Sequence, residues 1–258
     1  GGSDRKGLTI GKFVLRDERQ EECLFLDAVL LRGITKEGDA KHAGVETRSA
    51  DSANIPLGAR SATAKDIAES NALPNKPVVS EFTVTPRASW TYLSGYFVYN
   101  QTTSYNCGPA AVQAALRYLN GSAPAQDTIA VGCKTTSTAG TYISDMVTYI
   151  NSMQSKNRYT SKYQANSTNM SSYLYSGIVS YGAPPIIGMA FSSDGWLYSS
   201  DGHFMSVYGA KSDKSEFALA DPWIGYSNSG LAGNGWSYSK SATDIFKAYN
   251  RVNIGLMY

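Results

Sequence analysis

Cys107 stands in the stretch "NQTTSYNCGPAAVQAALRYLNG" (residues 100–121), where a polar run meets an amphipathic pattern. Val112, Ala115, Leu116 and Leu119 recur at the i, i+3, i+4, i+7 spacing of one buried helix face. Pro109 suits a first helical turn, where a missing N–H costs nothing, and Gly121 suits a stop. The thiol is therefore expected at the N-terminal edge of a helix. Unpaired N–H groups and the positive end of the helix dipole stabilise a thiolate there. The same position also admits a buried apolar plug, half of a disulfide or a metal ligand. A nucleophile needs more company: a base, a group to orient the base, and donors for an oxyanion.

The chain holds two histidines, His42 and His203. His42 lies in a charged N-terminal stretch. His203 opens the apolar run "HFMSVYGA", and past the turn "KSDK" a second run, "EFALAD", ends at Asp221. Two antiparallel strands joined by that turn bring His203 and Asp221 side by side, so the carboxylate can hold the imidazole in one tautomer. Asp201, two residues before His203, is the rival orienter. Upstream, the Gln101 amide can reach an oxyanion if its loop folds over the helix start, with the Cys107 backbone N–H as second donor. Cys133, in "VGCKTTSTAGT", reads as a core or loop thiol and Cys23 as structural.

Other chemistry finds little support. The odd count of three cysteines, with no C-x-x-C pair, argues against a disulfide framework or zinc ribbon. No H-E-x-x-H or Gly-rich phosphate loop occurs, and "GYSNSG" (225–230) misses the serine nucleophile elbow by one residue. The expected cofactor and metal content is none. Four N-x-S/T sequons, at Asn100, Asn120, Asn166 and Asn169, arise by chance in a chain this rich in Asn, Ser and Thr.

The elements that must position these residues follow from the pattern. A second helix is expected over 141–153, with Ile143, Met146, Val147 and Ile150 on its apolar face, and a third over 169–181 before Pro184 and Pro185. Strands are expected at 184–191, 203–210 and 216–221, a short helix at 241–249, and a closing strand in "RVNIGLMY". Helices ahead of antiparallel strands argue an α+β fold with segregated layers. Residues 1–85 differ from 86–258: a charged segment with strand-like runs, "LTIGKFVL" and "CLFLDAVLL", precedes an irregular polar linker over 49–80.

Composition bounds the partners. Of the 258 residues, 42% are hydrophobic, enough for a sizeable core, while only 17% are charged against a usual figure of about 25%. The neutral polar character suggests an exported protein. A net charge of +2 gives no reason to propose nucleic acid as a partner, and the longest apolar run is far too short to span a membrane. Oligomeric state is not legible.

The segments "QTTSYNCGPAA" and "GHFMSVYGA…FALADPW" together resemble the peptidase C39-like group of the papain-like cysteine peptidase superfamily. The resemblance covers about residues 90–258. Its chain order of Gln, Cys, His and Asn or Asp is met here by Gln101, Cys107, His203 and Asp221. It implies a nucleophile on a central helix packed against an antiparallel sheet, with a peptide or protein as substrate. It also implies a Cys–His–Asp triad working through a thioacyl-enzyme. Acyl transfer to an amine, as in transglutaminase-like proteins, and a catalytically inactive binding module are the alternatives. The superfamily's N-terminal pro-segments suggest that residues 1–85 shield the Cys107 cleft; a permanent strand-forming extension is the competing expectation.

Overall fold

The computed structural model describes residues 58–78, 88–223 and 236–258. The chain divides into two units, 1–47 and 48–258, and every described residue belongs to the second.

Along the described chain run α1 (Ala64–Ala72), β1 (Trp90–Tyr92), α2 (Cys107–Asn120), α3 (Gln126–Gly132), α4 (Ile143–Met153), β2 (Ser161–Lys162) and α5 (Ser167–Val179). Then come β3 (Ile186–Phe191), β4 (Ser200–Lys211), β5 (Glu216–Asp221), β6 (Trp236–Ser241), α6 (Ala242–Asn250) and β7 (Leu256–Met257). The sheet has the order β2-β7-β3-β4-β5-β6, with β1 pairing the far end of β4, and all the pairings are antiparallel.

Alternation along the central strands explains the layers. Ile186 and Phe204 project into one apolar layer with Val112, Leu116 and Leu119 of α2, Ile129 of α3, and Met146 and Ile150 of α4. Their neighbours Ile187 and Met205 project into the other, with Met170 and Leu174 of α5 and Ile245 of α6. Successive strand residues point to opposite faces, so a strand covered on both sides reads as a continuous apolar run, as "IIGMAF" does. The fold is α+β with α2 packed on an antiparallel sheet, as expected. Its helices, however, cover both faces of the sheet rather than forming one layer.

Differences from the sequence reading are local. Residues 64–72, expected to be irregular linker, form α1, because Thr63 and Asp66 close a capping box at its start. The short α3 and the strand β6 were not anticipated; "WSYSKS" is polar and pairs as an edge strand, without a core-facing alternation to betray it. The runs "LTIGKFVL" and "CLFLDAVLL" lie outside the described residues.

Candidate active site

Helix α2 begins at Cys107, which is fully buried. The preceding Asn106 makes no side-chain cap. The helix start is seated on the 141–146 segment: a Cβ on Gly108 would come within 3.0 Å of Thr141 Oγ1 and 3.1 Å of Met146 Sδ. At the other end Gly121 takes the left-handed conformation, φ 81°, that closes the helix.

The hairpin β4–β5 brings the other groups. Ser206 pairs with Ala220, which puts His203 and Asp221 near the end of the ladder on one side of the hairpin. His203 Nε2 lies 2.8 Å from Asp221 Oδ1, with both side chains fully buried. A carboxylate only accepts, so Nε2 carries the proton of that bond. Asp221 takes three further donors: Trp223 N–H at 3.0 Å on Oδ1, and the Tyr198 and Tyr238 hydroxyls at 2.8 and 3.1 Å on Oδ2. Burial, and then the charge of Asp221, push both tyrosines well above the ordinary phenol pKa, so they stay neutral and donate.

Burial by itself would lower the His203 pKa. The charge and hydrogen bond of Asp221, with a smaller contribution from the Cys107 thiol, outweigh it and raise the value to about 9. His203 Nδ1 is buried with no hydrogen-bond partner. With Nε2 committed to Asp221, Nδ1 is the ring atom left to exchange a proton with the neighbouring thiol. The backbone N–H of Phe204 donates to Cys107 Sγ at 3.4 Å, tying the helix start to the strand that carries His203.

Gln101 is buried in the loop before α2, and its N–H donates to Pro222 O at 2.8 Å, next to Asp221. Its Nε2 donates to Thr103 O at 2.6 Å, and Oε1 has no partner. A primary amide has two hydrogens, so one N–H remains after the Thr103 bond. The loop is clamped by Gln126, which accepts from Thr102 N–H at 2.7 Å and donates to Asn100 O at 3.0 Å.

Thus the structure gathers Cys107, His203, Asp221 and Gln101 around the start of α2. Asp201 is exposed, and the ring's Nε2 is bonded to Asp221 instead. Cys133 is a buried free thiol whose pKa burial, and then Asp145, push up to about 12. Cys23 and His42 lie outside the described residues. Among the described residues there is no cluster of His, Cys, Asp and Glu suited to a metal, and no helix long and apolar enough to cross a membrane. Sequence reasoning missed Tyr198, Tyr238, Gln126 and the segment around Gly58. The tyrosines were hidden among 18, and no local pattern in the sequence marked Gln126.

Gly58 lies against the thiol: a Cβ there would overlap Cys107 Sγ and sit 2.9 Å from Tyr105 O. Gly58 O accepts from Thr141 N–H at 2.7 Å, Ala59 N–H donates to Gly202 O at 3.2 Å, and Arg60 N–H donates to Thr141 O at 2.9 Å.

The structure is similar to the peptidase domain of Streptococcus ComA, a bi-functional ABC transporter involved in a quorum sensing pathway. That match has 15% identity and a TM-score of 0.42, over 63% of this chain and 96% of that one. It is also similar to xylellain, a cysteine protease from Xylella fastidiosa, at 11% identity and a TM-score of 0.48, over 79% and 96% of the two chains. Comparison with curated protein sequences finds no match. The model of the Peptidase_C39 like family matches residues 94–252, a span that holds α2, the β4–β5 hairpin and all four gathered side chains. On that match over more than half its length, the chain belongs to the Peptidase_C39 like family.

Proposed function

We propose that this chain hydrolyses peptide bonds as a cysteine peptidase, with Cys107 as nucleophile, His203 as base and acid, and Asp221 as orienter. One observation carries the reading. His203 is fixed on Asp221 through Nε2, which leaves its Nδ1 unpaired beside a thiol at the first position of a helix.

Chemically, the Cys107 proton rests on His203 Nδ1 in a thiolate–imidazolium pair, in keeping with the raised His203 pKa, and the sulfur adds as thiolate to the peptide carbonyl carbon. The oxyanion is held by the Cys107 N–H and the free N–H of Gln101. The C–N bond then breaks as His203 returns the proton to the leaving amine, and a thioester remains on Cys107. Water, deprotonated by His203, adds to the thioester. Its C–S bond breaks, and acid and thiol are released. The positive charge on the ring in both addition steps is what Asp221 and its three supporting donors stabilise.

A fluorogenic peptide library, with product identified by mass spectrometry, tests the reading. Turnover should be lost in Cys107→Ala and His203→Ala, with unchanged circular dichroism. Full turnover in His203→Ala would end the triad assignment.

A further inference from the structure

We propose that residues 58–62 are a tethered ligand of this cleft. They fill the groove that a peptide must enter, and they show its chemical preference: a glycine over the thiol and a cation two residues later. The inference rests on the peptidase reading for its functional meaning, though the occlusion itself does not.

Three glycines make room for this strand. Gly58 passes where any side chain would strike Cys107 Sγ. A Cβ on Gly140, which holds φ +68°, would strike the Gly58 backbone, and one on Gly202 would come within 2.5 Å of Ala59 O. Between these walls the strand is held by main-chain hydrogen bonds to Thr141 on one side and Gly202 on the other, which is recognition by strand addition. The pairing of Ala59 with Thr141 is parallel.

Arg60 supplies the side-chain anchor. Its Nε donates to Ala139 O at 2.8 Å, its terminal nitrogen donates to Thr136 Oγ1 at 2.6 Å, and its guanidinium lies 4.7 Å from the centre of the Tyr142 ring. A planar, multidonor cation matches that set of carbonyl, hydroxyl and ring face better than an ammonium does. Downstream, Ala62 N–H donates to Asn253 O, and α1 follows directly.

The strand is bound but not poised for cleavage at the Gly58–Ala59 bond. The Gly58 carbonyl oxygen is committed to Thr141 N–H rather than to the N–H groups at the start of α2. A carbonyl outside the oxyanion donors gains no transition-state stabilisation from them. The segment therefore protects the thiol without being consumed at that bond, and Cys107 and His203 are both fully buried beneath it.

Site-resolved alkylation tests this on the full chain, with no peptidase turnover needed. Iodoacetamide labelling of each cysteine is followed by mass spectrometry in wild type, Arg60→Ala and Gly58→Val. Cys107 labelling should rise about tenfold or more in Arg60→Ala and further in Gly58→Val, because the open state becomes more populated. Cys133 should stay unreactive. Added peptide LGARSA should then slow Cys107 labelling in Arg60→Ala, and its Arg→Ala analogue should not. Unchanged Cys107 labelling in Arg60→Ala, or equal rises at Cys107 and Cys133 from general loosening, would overturn the proposal, whether or not Gly58→Val folds. If Cys107 is released but no peptide is cut, the occlusion stands and the peptidase reading fails.

Discussion

At the scale of single residues, the Asp221 carboxylate carries an unusual load, with four donors converging on two buried oxygens. An asparagine there can keep its carbonyl toward His203 and Trp223 and turn its NH2 toward the two tyrosines, whose hydroxyls rotate to accept. The fold should survive Asp221→Asn, while the charge that raises the His203 pKa disappears. NMR titration should then show the ring titrating well below 9, with turnover reduced; an unchanged titration would remove Asp221 from its role. Asp221→Leu differs, because it leaves buried donors unmatched at about 1–3 kcal/mol each. The exposed Asp201 should be silent to Asp→Asn in both readouts.

His203 also makes a pH prediction. In an unfolded chain histidine titrates near 6.5, and in the fold burial is outweighed by Asp221 so that the value is about 9. The folded ring thus holds its proton more tightly than the unfolded one. The resulting stabilisation is complete below the unfolded pKa and lost as pH rises through the folded one. Tm should fall between about pH 6.5 and pH 9 in wild type. A difference in this slope between wild type and His203→Ala is the measurement, and identical slopes would contradict the raised value.

Among the elements, the loop before α2 shows how a position is held from outside the chain's own turn. Gln126 ties the main chain at Asn100 and Thr102, and Pro222 ties it at Gln101. Gln126→Leu removes the side-chain bonds of the first tie while keeping similar bulk. Under the proposed role of Gln101 as oxyanion donor, it should lower kcat more than it raises KM, because it loosens the loop that carries Gln101 without touching substrate. Stability should drop by about 1–3 kcal/mol, the cost of stranded polar groups in a largely buried loop. A rise in KM alone would place Gln126 in substrate binding instead. Asn166, one of the sequon asparagines, is used as a helix cap, accepting from Asn169 N–H at 2.8 Å.

Among the described residues of the second unit, every buried member of the two apolar layers lies between Leu93 and Tyr258. The stretch 58–78 packs only the partly buried Ala59 and Val78 against those layers and adds polar fastenings: Ser70 to Ser161 O at 2.5 Å, Lys76 to Asn157 at 2.6 Å, and Tyr258 to Lys76 O at 3.2 Å. Lys76 also lies 3.6 Å above the Tyr181 ring, and burial lowers its pKa to about 8. A chain beginning near residue 86 should therefore fold with a reduced Tm, and its Cys107 should react faster with a thiol probe. An insoluble product, or one that reacts no faster, would make the stretch a permanent part of the fold rather than a removable cover.

Much of this molecule was legible in order and period alone. The apolar face of α2, the proline and glycine at its ends, and the two strands about the KSDK turn depend on local geometry, which a spacing of 3.6 or 2 records directly. So does the neighbourhood of His203 and Asp221, since a tight turn leaves a hairpin few registers. What closes on Asp221 from Tyr198 and Tyr238, what holds Gln101, and what lies over Cys107 are contacts between residues far apart in the chain. Gly58 reaches Cys107, and Arg60 reaches Thr136, only after the sheet and helices have been assembled. A glycine among 24 and an arginine in a polar stretch carry no mark of such a contact. The sequence by itself determined the chemistry that is present and the elements that carry it. Only the tertiary structure decided that the site holds its own strand, because that depends on three chain segments converging in space.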